Sequence, residues 1–226
     1  MIIPKQKNKL QSKFFSIGRA LIRVALLASL IYATYCPYRI ATIVLTPQPI
    51  YRESETPQSY SDIVLSAPEG YLCAPIVEDY GTSVSDLYEV CFLRLSAKDA
   101  DWIRQKFASV KPGHLTLSDG RIRSWSQKVG ASRLLYLSGS LGEIVINDRN
   151  GIHSWAQEEY MAPGMLFLRV LTLQLLIDGM NPNDMIEYSE MINGCSLFGF
   201  TNCSRHYIPL QGNFLFYVSE FHSHFM

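Results

Sequence analysis

The first 39 residues of this 226-residue chain contain no aspartate or glutamate, only Lys5, Lys7, Lys9, Lys13, Arg19, Arg23 and Arg39. The head therefore carries +7. The other 187 residues hold 13 basic and 20 acidic side chains, so the formal net charge of zero is a cancellation between a basic head and a −7 body. A body short of basic charge excludes the usual nucleic-acid-binding domain, which concentrates Lys and Arg on its folded surface. No Cys-x-x-Cys or Cys-x-x-His pair occurs, which speaks against a zinc site. Glycine-rich phosphate loops and dinucleotide fingerprints are missing too, so no nucleotide cofactor is expected. Internal repeats and low-complexity tracts are absent, which excludes solenoids. The length allows one domain of ordinary size plus appendages.

What the head does contain is a run of apolar residues. Residues 17–36 (IGRALIRVALLASLIYATYC) are interrupted only by Arg19, Arg23 and small hydroxyls. As a helix rising ~1.5 Å per residue, twenty residues cover roughly the ~30 Å hydrocarbon core of a bilayer. Both arginines fall in the first two turns, where long side chains reach back to headgroups. Tyr32, Tyr35 and Tyr38 suit the far interface, and Pro37 is expected to stop the helix. Six basic residues precede the run and only Arg39 closely follows, a bias that keeps the N-terminus cytoplasmic and exports the rest. A cleaved signal peptide is the rival reading, but residues 31 and 39, which would have to be small, are Ile31 and Arg39. A buried core helix is the third alternative and leaves Arg23 inside a core. The expected plan is a basic cytoplasmic tail (1–16), a signal-anchor helix (17–36), a Pro/Ser-rich stalk (37–69) and one exported domain (70–226), single-pass in the inner or plasma membrane. The stalk segment could instead wrap onto the body, because Ile63, Val64 and Leu65 form a small apolar cluster.

The body reads as α+β: an antiparallel sheet with three or so helices. Residues 87–95 (LYEVCFLRL) are a strand candidate. Ser96 with Asp99 signals a helix start, with Ala100, Ile103, Phe107 and Val110 on one face and Pro112-Gly113 at the end. Asp119-Gly120 and Asn150-Gly151 signal hairpins. Residues 134–137 and 143–147 are further strand candidates. Residues 164–178 are apolar nearly all round, a buried helix rather than a second span. Residues 181–193 carry helix punctuation, Asn181 and Pro182 at the start and Gly194 after the end, which would turn Glu187 and Glu190 to water. Residues 213–225, with FLFYV, read as a last strand.

Cys36 belongs to the apolar run, leaving Cys73, Cys91, Cys195 and Cys203 in the exported part. An even number fits an oxidising compartment and two bridges, with Cys73–Cys91 and Cys195–Cys203 the local pairing among three connectivities. Candidate chemistry is sparse. His222 and His224 have the spacing of two ligands on one strand face but lack a third, and 147–151 fails the calcium-loop pattern, so no metal is expected. Ser140 lacks the glycine of a nucleophile elbow, and Cys203 and His206 sit on an expected loop.

The sequence therefore points to a membrane-anchored, non-enzymatic binding module, a partner, inhibitor or immunity-type protein, meeting a protein partner more basic than acidic. Trp125, Trp155, Glu158 and Glu159 are the candidate contact residues, with the tryptophans equally readable as core. The alternatives are a small envelope hydrolase using His153 or His206 with Ser or Cys chemistry, and a structural subunit docking through the helix at 164–178.

Overall fold

A computed structural model describes residues 5–52, 59–60, 63–65, 70–79, 84–130, 133–134, 136–139, 141, 163–181, 185–194 and 202–224. The chain forms two units, divided between Arg39 and Ile40.

The first unit is the N-terminal part of α1, a helix of 41 residues, Lys5–Leu45. Its apolar portion, Ile17–Leu45, is long enough to cross a bilayer, and residues 19–35 are exposed throughout. A soluble core helix would bury one side, so this helix is a candidate membrane anchor. Pro37 lies inside the helix rather than ending it. Proline removes one amide donor, its own, and residues 38–45 after it remain helical, so the helix continues past it.

The second unit begins with the last turns of α1, where Ile40 and Ile43, three residues apart, are buried. Beyond them the order is β1 (Ile50–Arg52), β2 (Ile63–Leu65), β3 (Leu72–Asp79), β4 (Val84–Arg94), α2 (Ala97–Ser109), β5 (Gly113–Thr116), β6 (Ile122–Val129), α3 (Pro163–Asp178), β7 (Ile186–Asn193), β8 (Asn202–Pro209) and β9 (Phe214–His224). Strands β3 to β9 form one antiparallel sheet in the order β3-β4-β9-β8-β7-β6-β5, and β1 pairs with β2 separately. This is the α+β architecture.

Local signals explain most elements. Ser96 Oγ accepts the Asp99 amide at 3.1 Å and starts α2, whose Ala100, Ile103 and Phe107 are buried. The β5–β6 hairpin turns at Gly120, whose φ of +82° suits glycine, and Asp119 Oδ1 accepts the Arg121 amide at 3.1 Å. Between β8 and β9 the chain turns through Gly212 and Asn213, with φ of +72° and +69°. Cys73 and Cys91 stand directly opposite on β3 and β4 and form a disulfide. In the chain-entropy account a closed loop of this size stabilises the fold by about 3 kcal/mol. Cys36 is a free thiol. Cys203 is disulfide-bonded as well, and Cys195 lies outside the described residues.

Two expected elements differ. Residues 186–193 form strand β7, not a helix. Read with period two, IEYSEMIN sends Tyr188 and Glu190 to one face and Glu187, Ser189 and Met191 to the other, and pairing with both β6 and β8 outweighs the helix punctuation before it. Leu134 and Leu137, expected in a strand, are helical and buried. The hairpin at 150–151 and the strand at 143–147 lie outside the described residues.

The core on one face of the sheet lies under α2 and is aromatic. Phe107 packs edge-on or tilted against Tyr60, Tyr188 and Tyr207 with ring centroids 5.1–5.3 Å apart. Tyr60 comes from the segment read as a stalk and is fully buried. The preceding Ser59 lies over an ion pair between Arg123 and the 2%-exposed Glu190, whose Oε1 is 3.4 Å from Ser59 Oγ and 3.1 Å from Arg123 Nε. The described residues of 40–65 are tied to the body at other points too: Gln48 N donates to Arg94 O at 2.7 Å and Arg94 Nη1 to Leu45 O at 2.6 Å.

Candidate functional site

On the opposite sheet face, β6 to β9 place polar side chains side by side. Register aligns Ser126 with Ser189, Ser189 with His206, and Ser204 with Glu220. Residues on one strand two apart share a face, so Glu187, Ser189, Ser204, His206, Glu220 and His222 all point the same way. They line an open cleft of about 500 Å³, with Ser124, Ser126, Lys128 and Asn202 at its walls and Arg133 reaching in from the short helical segment.

The floor of the cleft is a charge-compensated cluster. His206 Nδ1 is 2.8 Å from Glu187 Oε1 and its Nε2 is 3.2 Å from Glu220 Oε1. The Arg133 guanidinium pairs with Glu220 and stacks on the rings of Tyr88 and Tyr136 at 4.6 and 4.8 Å. Ser204 Oγ donates to Glu220 Oε2 at 3.1 Å, and His222 Nε2 lies 3.3 Å from the same oxygen. The Arg133 amide donates to Glu187 Oε2 at 3.3 Å. Glu187, His206 and Glu220 are all buried. An uncompensated charge there would be costly, and two carboxylates against an imidazolium and a guanidinium cancel it.

Protonation follows from this packing. Burial alone would push His206 down, but the hydrogen bonds and charges of Glu187 and Glu220 outweigh it and hold the imidazole above its ordinary value. Burial alone would push the two carboxyls up. Hydrogen bonds and charge from His206, joined at Glu220 by His222 and Arg133, bring both below the ordinary carboxylate value, Glu220 well below.

These directions give a pH profile. His206, raised in the folded state, contributes stability that is complete below about pH 6.5 and is lost as pH rises through its folded value. Glu187 and Glu220, lowered in the folded state, contribute stability that is complete above about pH 4.5 and is lost as pH falls below it. The expected maximum in urea midpoint therefore lies between about pH 4.5 and 6.5, with a decline on the alkaline side that His206→Gln abolishes. An alkaline limb unchanged in His206→Gln would contradict this assignment.

No known protein family, curated protein or solved structure matches this chain. Chemical reasoning on the cleft therefore carries the functional argument. With its two ring nitrogens 2.8 and 3.2 Å from carboxylate oxygens, His206 is favoured in its cationic form, which cannot accept a proton. Ser204 directs its hydroxyl to Glu220, not to an imidazole. Among the described residues one group of three side chains could gather around a metal, Cys73, Glu89 and Cys91, and its two sulfurs are committed to the disulfide.

Of the residues singled out from sequence, Trp125 borders the cleft between Ser124 and Ser126 and is half-buried, with its ring packed at the edge of the aromatic core. Its indole donates to Lys111 O at 2.6 Å, and its ring lies so close to Gly113 that a Cβ there would meet it at 3.2 Å. Trp155, Glu158, Glu159, His153 and Ser140 lie outside the described residues. His206 and Cys203, expected on a loop, are in strand β8. Sequence reasoning missed Arg133, Glu187, Ser204 and Glu220. The available signal was a lone acid inside the apolar strand FLFYVSEFHSH, a position that is costly unless paired.

Proposed function

We propose that this chain is a membrane-anchored binding protein whose exported domain receives its partner in the polar cleft of the sheet. The observation that carries the reading is the Glu187–His206–Glu220–Arg133 floor. Three of its four members stand on paired strands, and two carboxylates face an imidazole and a guanidinium, a compensated arrangement that suits recognition better than turnover. Around this floor the serines 124, 126 and 189, Asn202 and Lys128 supply adaptable hydrogen-bonding groups. The body's −7 charge steers basic protein partners toward it. The candidate anchor and the Cys73–Cys91 disulfide support a domain facing the periplasm or an equivalent exported space. The hydrolase alternative keeps His206 but requires it to accept a proton, against the two carboxylates that hold it charged.

The test is affinity capture with the tagged full chain in detergent, comparing wild type with Ser189→Trp and Ser124→Trp, which put bulk into the cleft and remove no member of its ion pairs. One stoichiometric partner is expected, reduced at least tenfold by either substitution. Capture unchanged in both variants would locate the binding surface elsewhere and refute the cleft.

A further inference from the structure

Two concavities stand out among the described residues. The one between α2, the end of α3 and the β8–β9 turn, of about 880 Å³, is largely apolar. The other is the polar cleft, and into it the chain inserts a side chain from outside the sheet, Arg133. The groups around that guanidinium define what the cleft accepts.

They are the groups of a receptor for a planar cation. Glu220 supplies the carboxylate, and the ring centres of Tyr88 and Tyr136 lie 4.6 and 4.8 Å from the guanidinium carbon. A carboxylate beside two aromatic rings favours a guanidinium over an ammonium, because the planar group stacks and hydrogen-bonds at once and is the more weakly hydrated. Tyr88 is buried, whereas Tyr136 is 50% exposed and the Arg133 side chain 22% exposed. The cage is closed on the sheet side and reachable from solvent at Tyr136.

Arg133 is also held in a way that lets its side chain leave alone. Its main-chain amide donates to Glu187 Oε2 at 3.3 Å, and Leu134 and Leu137 of the same helical segment are buried. The backbone therefore stays seated when the guanidinium swings out about its own side-chain bonds. Glu220 then keeps His206, His222 and Ser204 but lacks its guanidinium. A buried carboxylate short of charge is costly, so a like cation is the natural replacement. Exchange of one guanidinium for another preserves the balance of the floor, which addition of a further cation beside Arg133 does not.

We infer that Arg133 is a stand-in for the partner: an arginine of the bound protein enters the cage made by Glu220, Tyr88 and Tyr136 and turns Arg133 out. The proposal deepens the cleft reading above and rests on it. It makes Arg133 an internal competitor that keeps the unliganded cleft in charge balance and admits an arginine-bearing segment in its place. The acidic body steers such a segment toward the cleft.

The experiment titrates the full chain in detergent, carrying isotope-labelled arginine, with an acetylated and amidated Gly-Arg-Gly peptide and with its Gly-Lys-Gly counterpart. The Arg133 Nε–H resonance is assigned by its loss in Arg133→Lys. Saturating arginine peptide is expected to move that resonance to the position and fast solvent exchange of an exposed arginine. Apparent affinity falls with the fraction of molecules whose cage is open, so an Arg133 inserted about nine-tenths of the time or more weakens binding at least tenfold. The arginine peptide should therefore bind Arg133→Ala at least tenfold more tightly than wild type, and the lysine peptide should bind that variant at least tenfold more weakly than the arginine peptide does. Adding Tyr136→Leu to Arg133→Ala should reduce arginine-peptide affinity at least fivefold. Absence of binding, equal affinity of wild type and Arg133→Ala, or an Arg133 resonance unmoved at saturation overturns the proposal and makes Arg133 a fixed part of the fold. The resonance is read on wild type and stands whether or not Arg133→Ala folds. Partner capture lost in Ser189→Trp, with the Arg133 resonance unmoved by peptide, refutes displacement and leaves the cleft. Capture that survives both tryptophan variants removes the cleft and this proposal together.

Discussion

Glu220→Ala is expected to destabilise the domain by about 3–5 kcal/mol, the range for breaking a buried ion pair by removing one partner. Glu220 is 5% exposed and is the acceptor shared by Arg133, His206, Ser204 and His222. Its loss leaves Arg133 without its carboxylate and His206 with only Glu187, and the Ser204 donor has no oxygen to meet. Domains of this size are stable by about 5–15 kcal/mol in total, so the variant sits near the edge of folding. Urea unfolding of the full chain in detergent micelles measures the loss as a fall in midpoint at constant slope. Glu220→Gln separates charge from shape: it keeps an acceptor for Ser204 but removes the charge that raises His206. The His206 titration, followed by its ring proton resonances, should move down in pH. A variant with wild-type midpoint and an unmoved titration would show that Glu220 is not the hub described.

Tyr60→Ala should cost a similar amount, about 3–5 kcal/mol, as expected for deleting a buried aromatic ring. Tyr60 is fully buried and makes edge contacts with Phe107, Tyr188 and Tyr207, at centroid distances of 5.1, 5.2 and 6.5 Å. The ring also pins the polypeptide between β1 and β2 to the sheet, so its removal releases Ser59 from the Arg123–Glu190 pair. Tyr60→Phe should behave in the opposite way. The Tyr60 hydroxyl is buried without a hydrogen-bond partner among the described residues, and burial, followed by the charges of Tyr188 and Glu190, pushes its pKa up to about 12. Phenylalanine keeps the edge contacts and discards an unsatisfied hydroxyl, so its stability should equal or exceed that of wild type. Loss of stability in Tyr60→Phe comparable to that in Tyr60→Ala would mean that the hydroxyl, not the ring, holds the segment in place.

Elements whose determinants are local were legible in the sequence. The Ser96–Asp99 start of α2, its buried Ala100, Ile103 and Phe107, the Asp119-Gly120 turn, β4, α3 and β9 all follow from caps, periodicity or turn chemistry within a few residues. Strand β7 is hidden in the sequence because Asn181 and Gly194 mimic helix punctuation and Met185, Tyr188 and Ile192 keep helical spacing. A short segment of mixed spacing is decided by its neighbours, here β6 and β8. Strands β3 and β8 lacked clear alternation and went unnoticed. Glu187 and Glu190, assigned to solvent under the helix reading, are 1% and 2% exposed and lie on opposite faces of the sheet.

The charge split between head and body, the apolar helix, the α+β class and the four cysteines outside that helix were settled by composition and local pattern, because each depends on residues close together in the chain. Both concavities were decided by tertiary structure alone. The polar cleft joins Arg133, Glu187, His206 and Glu220, up to 87 residues apart, through the register of β7, β8 and β9 and the packing of a helical residue against them. The apolar groove joins α2, α3 and the β8–β9 turn, which are distant in the chain. Sheet register converts distant residues into neighbours, and a buried charge reveals its role only once its partners are within hydrogen-bond reach.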